Sequence, residues 1–117
     1  RLLKEADLWG EERLLAQAVP DNVNPVWHLF VVRCEERAAL ASFLQERGIA
    51  TGIYYPVPLH LQKVYQNGPY ALGYREGDLP VSEWLSQRTM ALPLYPELAE
   101  EEQEQVVAAV TDFYQGR

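Results

Sequence analysis

Only one cysteine and two histidines occur among the 117 residues of this chain, and that scarcity excludes several protein classes at once. Cys34 alone cannot close an internal disulfide, so the sequence asks for no oxidising compartment, and a cytoplasmic location is expected. His28, Cys34 and His60, with scattered carboxylates, show none of the close spacings of a zinc site, so no metal is expected. Lysine is just as rare, with Lys4 and Lys63 the only two. No apolar run approaches the roughly 20 residues that cross a bilayer, so no membrane partner is expected. Positive charge is also short: ten Lys and Arg face seventeen Asp and Glu, for a net charge of −7. Such a balance repels a phosphate backbone and argues against nucleic acid. A glycine-rich phosphate loop is missing too, since Gly68, Gly73 and Gly77 lack a following Lys-Ser or Lys-Thr. The chain opens at Arg1 with neither an initiator nor a secretory segment, so it is expected to start inside a longer protein.

What is present suffices for one core. Hydrophobic residues make up 48% of the chain and include three Trp, seven Tyr and three Phe, enough for a single domain. Residues 1–18 read as a helix tail followed by a less regular stretch broken at Gly10. Pro20 to Pro25 is turn chemistry. The β-branched and aromatic run Val26 to Val32 predicts a strand. Glu36 to Arg47 predicts a helix with Leu40, Phe43 and Leu44 on one stripe and Ala39 beside it, and Gly48 sits where a left-handed residue would end it. Ile49 to Tyr55 reads as a second strand, stopped by Pro56 and Pro58. Residues 56–79 form a long loop, with Asn67-Gly68-Pro69 as its strongest turn signal. Asp78 and Pro80 start a helix with Val81, Trp84 and Leu85 facing one way. Ala91 to Leu94 is a short strand in which Pro93 argues for an edge position. The last helix, Glu97 to Tyr114, has carboxylates in its first turns, where the macrodipole favours them, and Val106, Val110 and Phe113 as its buried stripe. This order predicts an α+β two-layer sandwich, a small, mainly antiparallel sheet with helices packed on it.

Few residues can carry chemistry. His28 lies within an apolar strand, where the structural reading is a buried histidine with a hydrogen-bond partner and a ligand role is the lesser alternative. His60 follows the stiff segment Tyr55-Pro56-Val57-Pro58-Leu59, which can hold an imidazole in place, and is balanced between a functional and a structural role. Cys34 follows a core strand and reads as an apolar filler rather than a nucleophile. Tyr54, Tyr55, Tyr65, Tyr70 and Tyr74 could stack a base or sugar or cover an interface.

Several segments, taken in order, resemble a known pattern: Trp27-His28-Leu29-Phe30-Val31-Val32, then "ERGIATGIYYPVPLH" ending at His60, "GDLPVSE" from Gly77, and "LPLYPEL" from Leu92. Together they resemble the C-terminal domain of the DegT/DnrJ/EryC1/StrS aminotransferases. The resemblance runs from Val26 to Tyr114 and is loose before that. It implies that residues 1–25 are a helix tail and linker from a large domain and that residues 26–117 are the C-terminal small domain of a fold-type-I aminotransferase. It implies an enzyme only as part of a longer polypeptide, because neither Lys4 nor Lys63 sits in the family's cofactor-lysine motif and no catalytic or cofactor-binding residue carries over. The implied cofactor is pyridoxal phosphate, bound mainly by the large domain, and the implied partners are a nucleotide-linked keto sugar, an amino donor such as glutamate, and a second subunit in a homodimer. Tyr55 and His60 would face the sugar or its phosphates, with His28 a weaker candidate near the same edge. A sugar dehydratase of the same family and a free-standing regulatory or ligand-binding module are the alternatives. The aminotransferase reading further predicts exposed apolar surface around Trp9, Trp84 or the tyrosine loop.

Overall fold

The β-branched run after the Pro20–Pro25 turn forms the middle of the sheet, but later than its composition suggests. In the computed structural model, which describes residues 1–8, 10 and 13–116, strand β2 spans Phe30–Arg33. It pairs antiparallel with β1 (Leu15–Ala16) on one side and β3 (Thr89–Leu92) on the other, in the order β1-β2-β3. The register sets Phe30 opposite Leu92, so the next pair would be Leu29 with Pro93. The backbone groups of Ala91 face Gly52, so the Pro93 nitrogen points to that same outer side of β3, where a proline costs the β2 ladder no donor; the ladder itself ends at the Phe30–Leu92 pair. Residues 26–29 therefore lie outside the sheet; Val26 is 98% exposed, and Trp27 packs edge-on against Phe30 at 5.6 Å.

The strand expected over Ile49–Tyr55 contracts to one antiparallel bridge between Gly52 and Ala91, with mutual backbone hydrogen bonds of 3.0 and 2.7 Å. The Tyr54 ring folds back over Gly52, where a Cβ would collide with it. A short edge strand, β1, appears where an irregular stretch was expected.

Helix α2 (Arg37–Glu46) ends as the sequence requires. Gly48 takes φ of 75°, its N–H donates to Gln45 O at 3.0 Å, and the Ile49 N–H donates to Leu44 O at 2.9 Å. This paired closure needs a left-handed residue that glycine supplies without strain. Helix α5 (Glu100–Gln115) packs on α2, with Phe43 and Phe113 edge-on at 5.4 Å. Its buried residues are Ala109, Val110 and Phe113, while Val106 is only half-buried. Ala39 is likewise exposed on α2. Leu40, Leu44, Val32, Val110 and Met90 meet in the core, joined by Leu3 of the short α1 (Leu2–Glu5) and by Leu8 and Leu14. The result is a small α+β sandwich of a three-stranded antiparallel sheet and helices.

Residues 56–79 contain two single-turn 3-10 segments, Leu59–Leu61 and Gly68–Tyr70, and the one-turn α3 (Lys63–Gln66). Helix α4 (Pro80–Ser86) then leads into β3. Within this half only His60 is buried, and residues 17–28 before β2 are exposed as well, apart from the half-buried Pro25. The radius of gyration is 16.4 Å, against about 13 Å for a compact chain of this length. The accessible surface is 8387 Å², against roughly 6500 Å² for a compact monomer of this mass. Among the described residues, no helix is long and apolar enough to cross a membrane.

Candidate functional site

Between Gln45 and Thr89 only one residue is buried, and it is polar: His60. Pro56 and Pro58 stiffen the approach to it, and the 3-10 turn Leu59–Leu61 directs its ring inward. There Nε2 lies 2.9 Å from Glu83 Oε1, with the Tyr74 ring edge-on at 6.0 Å. Glu83 lies on α4 and also accepts the backbone N–H groups of Gly77 and Leu79. The Gly77 N–H chiefly, then His60 and then Leu79, hold its carboxyl below the usual carboxylate range against the opposing effect of desolvation. The Gln66 side-chain amide donates to the carbonyls of His60 and Tyr74, closing the middle of the loop.

Around this polar knot the aromatic side chains face outward. Tyr55 is 64% exposed, and its ring meets that of Tyr54 at 5.9 Å. Tyr70, Leu72 and Tyr74 are exposed, as are Val81, Trp84 and Leu85 of α4. The half-exposed Trp84 indole carries the guanidinium groups of Arg33 and Arg88 at 4.9 and 4.8 Å, within range of a cation–π attraction. Arg88 also pairs with Glu35 at 2.7 Å. Arg37 donates to the carbonyls of Ser86 and Thr89, which fixes the C-terminal end of α4 to the start of β3. The apolar surface expected near Trp84 and the tyrosine loop is present; Trp9 lies outside the described residues.

The three histidine and tyrosine candidates do not form one cluster. Tyr55 and His60 share the loop after the Gly52 bridge, which leaves the sheet toward the Thr89 end. His28 precedes Phe30 and so lies beyond the opposite, Leu92 end. It is also exposed, not the buried core histidine that its apolar neighbours suggested, because the ladder stops short of it, at the Phe30–Leu92 pair. Cys34 is a core residue, 1% exposed and 3.7 Å from the Met90 sulfur; burial pushes its thiol up to about 11, which removes it as a nucleophile near neutral pH. An open groove of about 360 Å³ lies elsewhere, at the Leu92 end, between Leu3, Phe30, Pro93, Tyr95 and Val107. Its lining is mostly apolar but includes Arg1 and Gln103. Sequence reasoning missed Glu83 and Gln66 as organising residues. The only local signal for Glu83 was a glutamate just inside a proline-started helix, where a carboxylate can reach back to open backbone donors.

The sequence profile of the DegT/DnrJ/EryC1/StrS aminotransferase family matches residues 5–111. A pleiotropic regulatory protein of Geobacillus stearothermophilus is 41% identical over 92% of this chain and 33% of its own length. A dTDP-3-amino-3,6-dideoxy-alpha-D-galactopyranose transaminase of Aneurinibacillus thermoaerophilus is 40% identical over 81% of this chain and 24% of its own length. Among solved structures, S. venezuelae DesV in complex with a ketimine intermediate superimposes with a TM-score of 0.83 at 35% identity, over 96% of this chain and 30% of that one. The chain thus spans 24% to 33% of the length of these relatives.

Proposed function

Since the chain belongs to the DegT/DnrJ/EryC1/StrS aminotransferase family, we propose that it is the substrate-side small domain of a pyridoxal-phosphate-dependent aminotransferase acting on a nucleotide-linked keto sugar. The observation that carries this reading is the outward face of residues 54–85. A chain whose surface is roughly 1900 Å² larger than a compact monomer needs, and which exposes Tyr54, Tyr55, Tyr70, Tyr74 and the Val81, Trp84 and Leu85 side of α4, suits a unit that closes over a cleft built by other polypeptide. In this reading residues 1–25 connect to that polypeptide and residues 26–117 form the small domain.

The residues of this chain do not by themselves fit the cofactor. Lys4 and Lys63 are exposed, on the short helices α1 and α3, and the buried polar side chain of the loop half, His60, is already engaged by Glu83. The proposal therefore places the cofactor lysine and the phosphate ligands outside this chain, and no catalytic residue within it. Pyridoxal phosphate, when bound, supplies the electron sink for amino transfer. The chain's own part is to bind, orient and exclude water. Tyr55, exposed on a proline-stiffened turn, is proposed to face the sugar or its phosphates, as the sequence resemblance implied. His60 is proposed to act from within, by holding that turn. His28, at the far end of the sheet, is proposed to reach substrate only across a homodimer interface.

The test is amino transfer from glutamate to a nucleotide-linked keto sugar by the intact polypeptide that carries this chain, together with an absorbance scan for bound cofactor. Cofactor absorbance with transfer is the expected result. A bound cofactor with loss of water from the sugar, and no amine gained, would replace the aminotransferase by a dehydratase. The second reading is a free-standing regulatory or ligand-binding module; the word regulatory in the name of the 41% identical relative, itself about three times as long as this chain, supports the regulatory part of it. A purified 117-residue chain that stays monodisperse and binds a small ligand without any other polypeptide would support that reading over the first.

A further inference from the structure

Apolar packing does not fix the loop half of this chain, so something polar must. Among residues 54–79 only His60 is buried, yet the segment returns on itself in a defined path. Its two ends meet at one side chain. Glu83, 14% exposed, accepts from His60 Nε2 at 2.9 Å, from Leu79 N at 3.2 Å, and from Gly77 N at 3.0 and 2.9 Å on its two oxygens. His60 lies 23 residues before it, Gly77 six and Leu79 four. The corner that aims the Gly77 N–H inward uses φ of 93°, a conformation open to glycine and strained for other residues. From His60 the links continue: its carbonyl accepts the Gln66 amide, which also bonds Tyr74 O at 3.1 Å, and the Tyr74 ring rests edge-on against the imidazole.

We propose that Glu83 is the positioning residue of the substrate loop: by holding His60 and the 77–79 corner together, it fixes the exposed rings of Tyr55, Tyr70 and Tyr74 in the arrangement that meets the nucleotide-linked sugar. This rests on the substrate-side reading above. A carboxylate suits the position because every group facing it is a nitrogen that can donate, and only an ionised carboxylate accepts on both oxygens without offering a donor of its own. Glutamine would keep one acceptor and turn an NH₂ toward the Gly77 N–H. Alanine would remove both acceptors while leaving α4 with a strong helix former.

The experiment compares wild type, Glu83→Gln and Glu83→Ala in the intact polypeptide that carries this chain. Peptide-resolved hydrogen exchange reads the loop. The expected result is exchange in peptides covering residues 59–79 at least about tenfold faster in Glu83→Ala and intermediate in Glu83→Gln, with peptides of β2 and β3 unchanged. The two half-reactions read the function. Amine uptake from glutamate should stay within about twofold of wild type, while kcat/KM for the keto sugar falls about 10- to 100-fold, mostly through KM, as expected of misplaced binding groups. Unchanged loop exchange would overturn the clamp. Faster exchange with both half-reactions lowered equally would make Glu83 merely structural and overturn the positioning role. A wild type that transfers no amine would overturn the functional reading and the positioning role with it, while the exchange measurement would still decide whether the clamp exists.

Discussion

The two halves of this molecule are stabilised by different physics. In the half made of the sheet, α2 and α5, side chains such as Leu40, Leu44, Val32 and Val110 are wholly removed from water, and the backbone geometry follows from that burial. In the half made of residues 54–88, apolar side chains face solvent and one carboxylate gathers the chain by hydrogen bonds. The difference teaches that the second half is shaped to present a surface: burial that would have fixed it internally is left available for something else.

The contrast can be broken most directly by Leu44→Ala. Removing a fully buried leucine between α2 and the sheet should cost about 3 kcal/mol, within the ~2–5 range of such truncations, read by chemical denaturation. A loss below about 1 kcal/mol would mean that the first half is not packed as described.

Alkali should act next, and on the same half. Burial pushes the Cys34 thiol from 9.0 up to about 11 and the Tyr114 phenol from 10.0 up to about 12. Both bind their protons more tightly in the folded chain. Their contribution is therefore complete below pH 9 and is lost as pH rises from about 9 toward 12. The thiol accounts for up to about 3 kcal/mol of that loss, and at pH 8 it should resist alkylation until the chain is unfolded. Acid should act on the other half. The Glu83 carboxyl is held below its ordinary 4.5, so the clamp is complete above that value and disappears as pH falls through the lowered one. Loop amides should then exchange faster than those of β2 and β3, and simultaneous loosening of both halves would erase the distinction.

Smaller effects sharpen it. Glu102 Oε2 accepts the Ala99 N–H at 2.9 Å, closing the start of α5 from one side only, since Ala99 has no side-chain acceptor to return. Glu102→Ala should cost about 1 kcal/mol in thermal or chemical denaturation. Val81→Ser, on the 70% exposed outer face of α4, should change the stability of this chain by less than about 0.5 kcal/mol. The same substitution should weaken association with any polypeptide that covers that face.

The fold was legible where the determining contacts are local. The Leu40/Leu44 spacing and Gly48 define α2 and its end without reference to anything else. Strand limits were not legible, because they depend on the opposite strand: Val26 to Leu29 have strand-forming composition, but β3 ends at Leu92, opposite Phe30, and offers them no partner. Ile49 to Tyr55 carry equally strong propensity and keep a single bridge at Gly52. The two residues of β1 are too few to show a period. In the site, the proline-stiffened turn at Tyr55 and His60 could be read directly. Glu83 could not, because its importance arises from a meeting across 23 residues that no local pattern encodes.

One consequence of the sheet's construction concerns self-association. The outermost strand on one side, β1, is two residues long, and β3 on the other is partly capped by Gly52 and followed by Pro93. Neither border offers a long row of open backbone groups on which another chain could template itself. A protein displaying this much tyrosine and tryptophan is thereby protected from fibril-like stacking, and the contacts left open to it are those of side chains, which shape and chemistry can make selective.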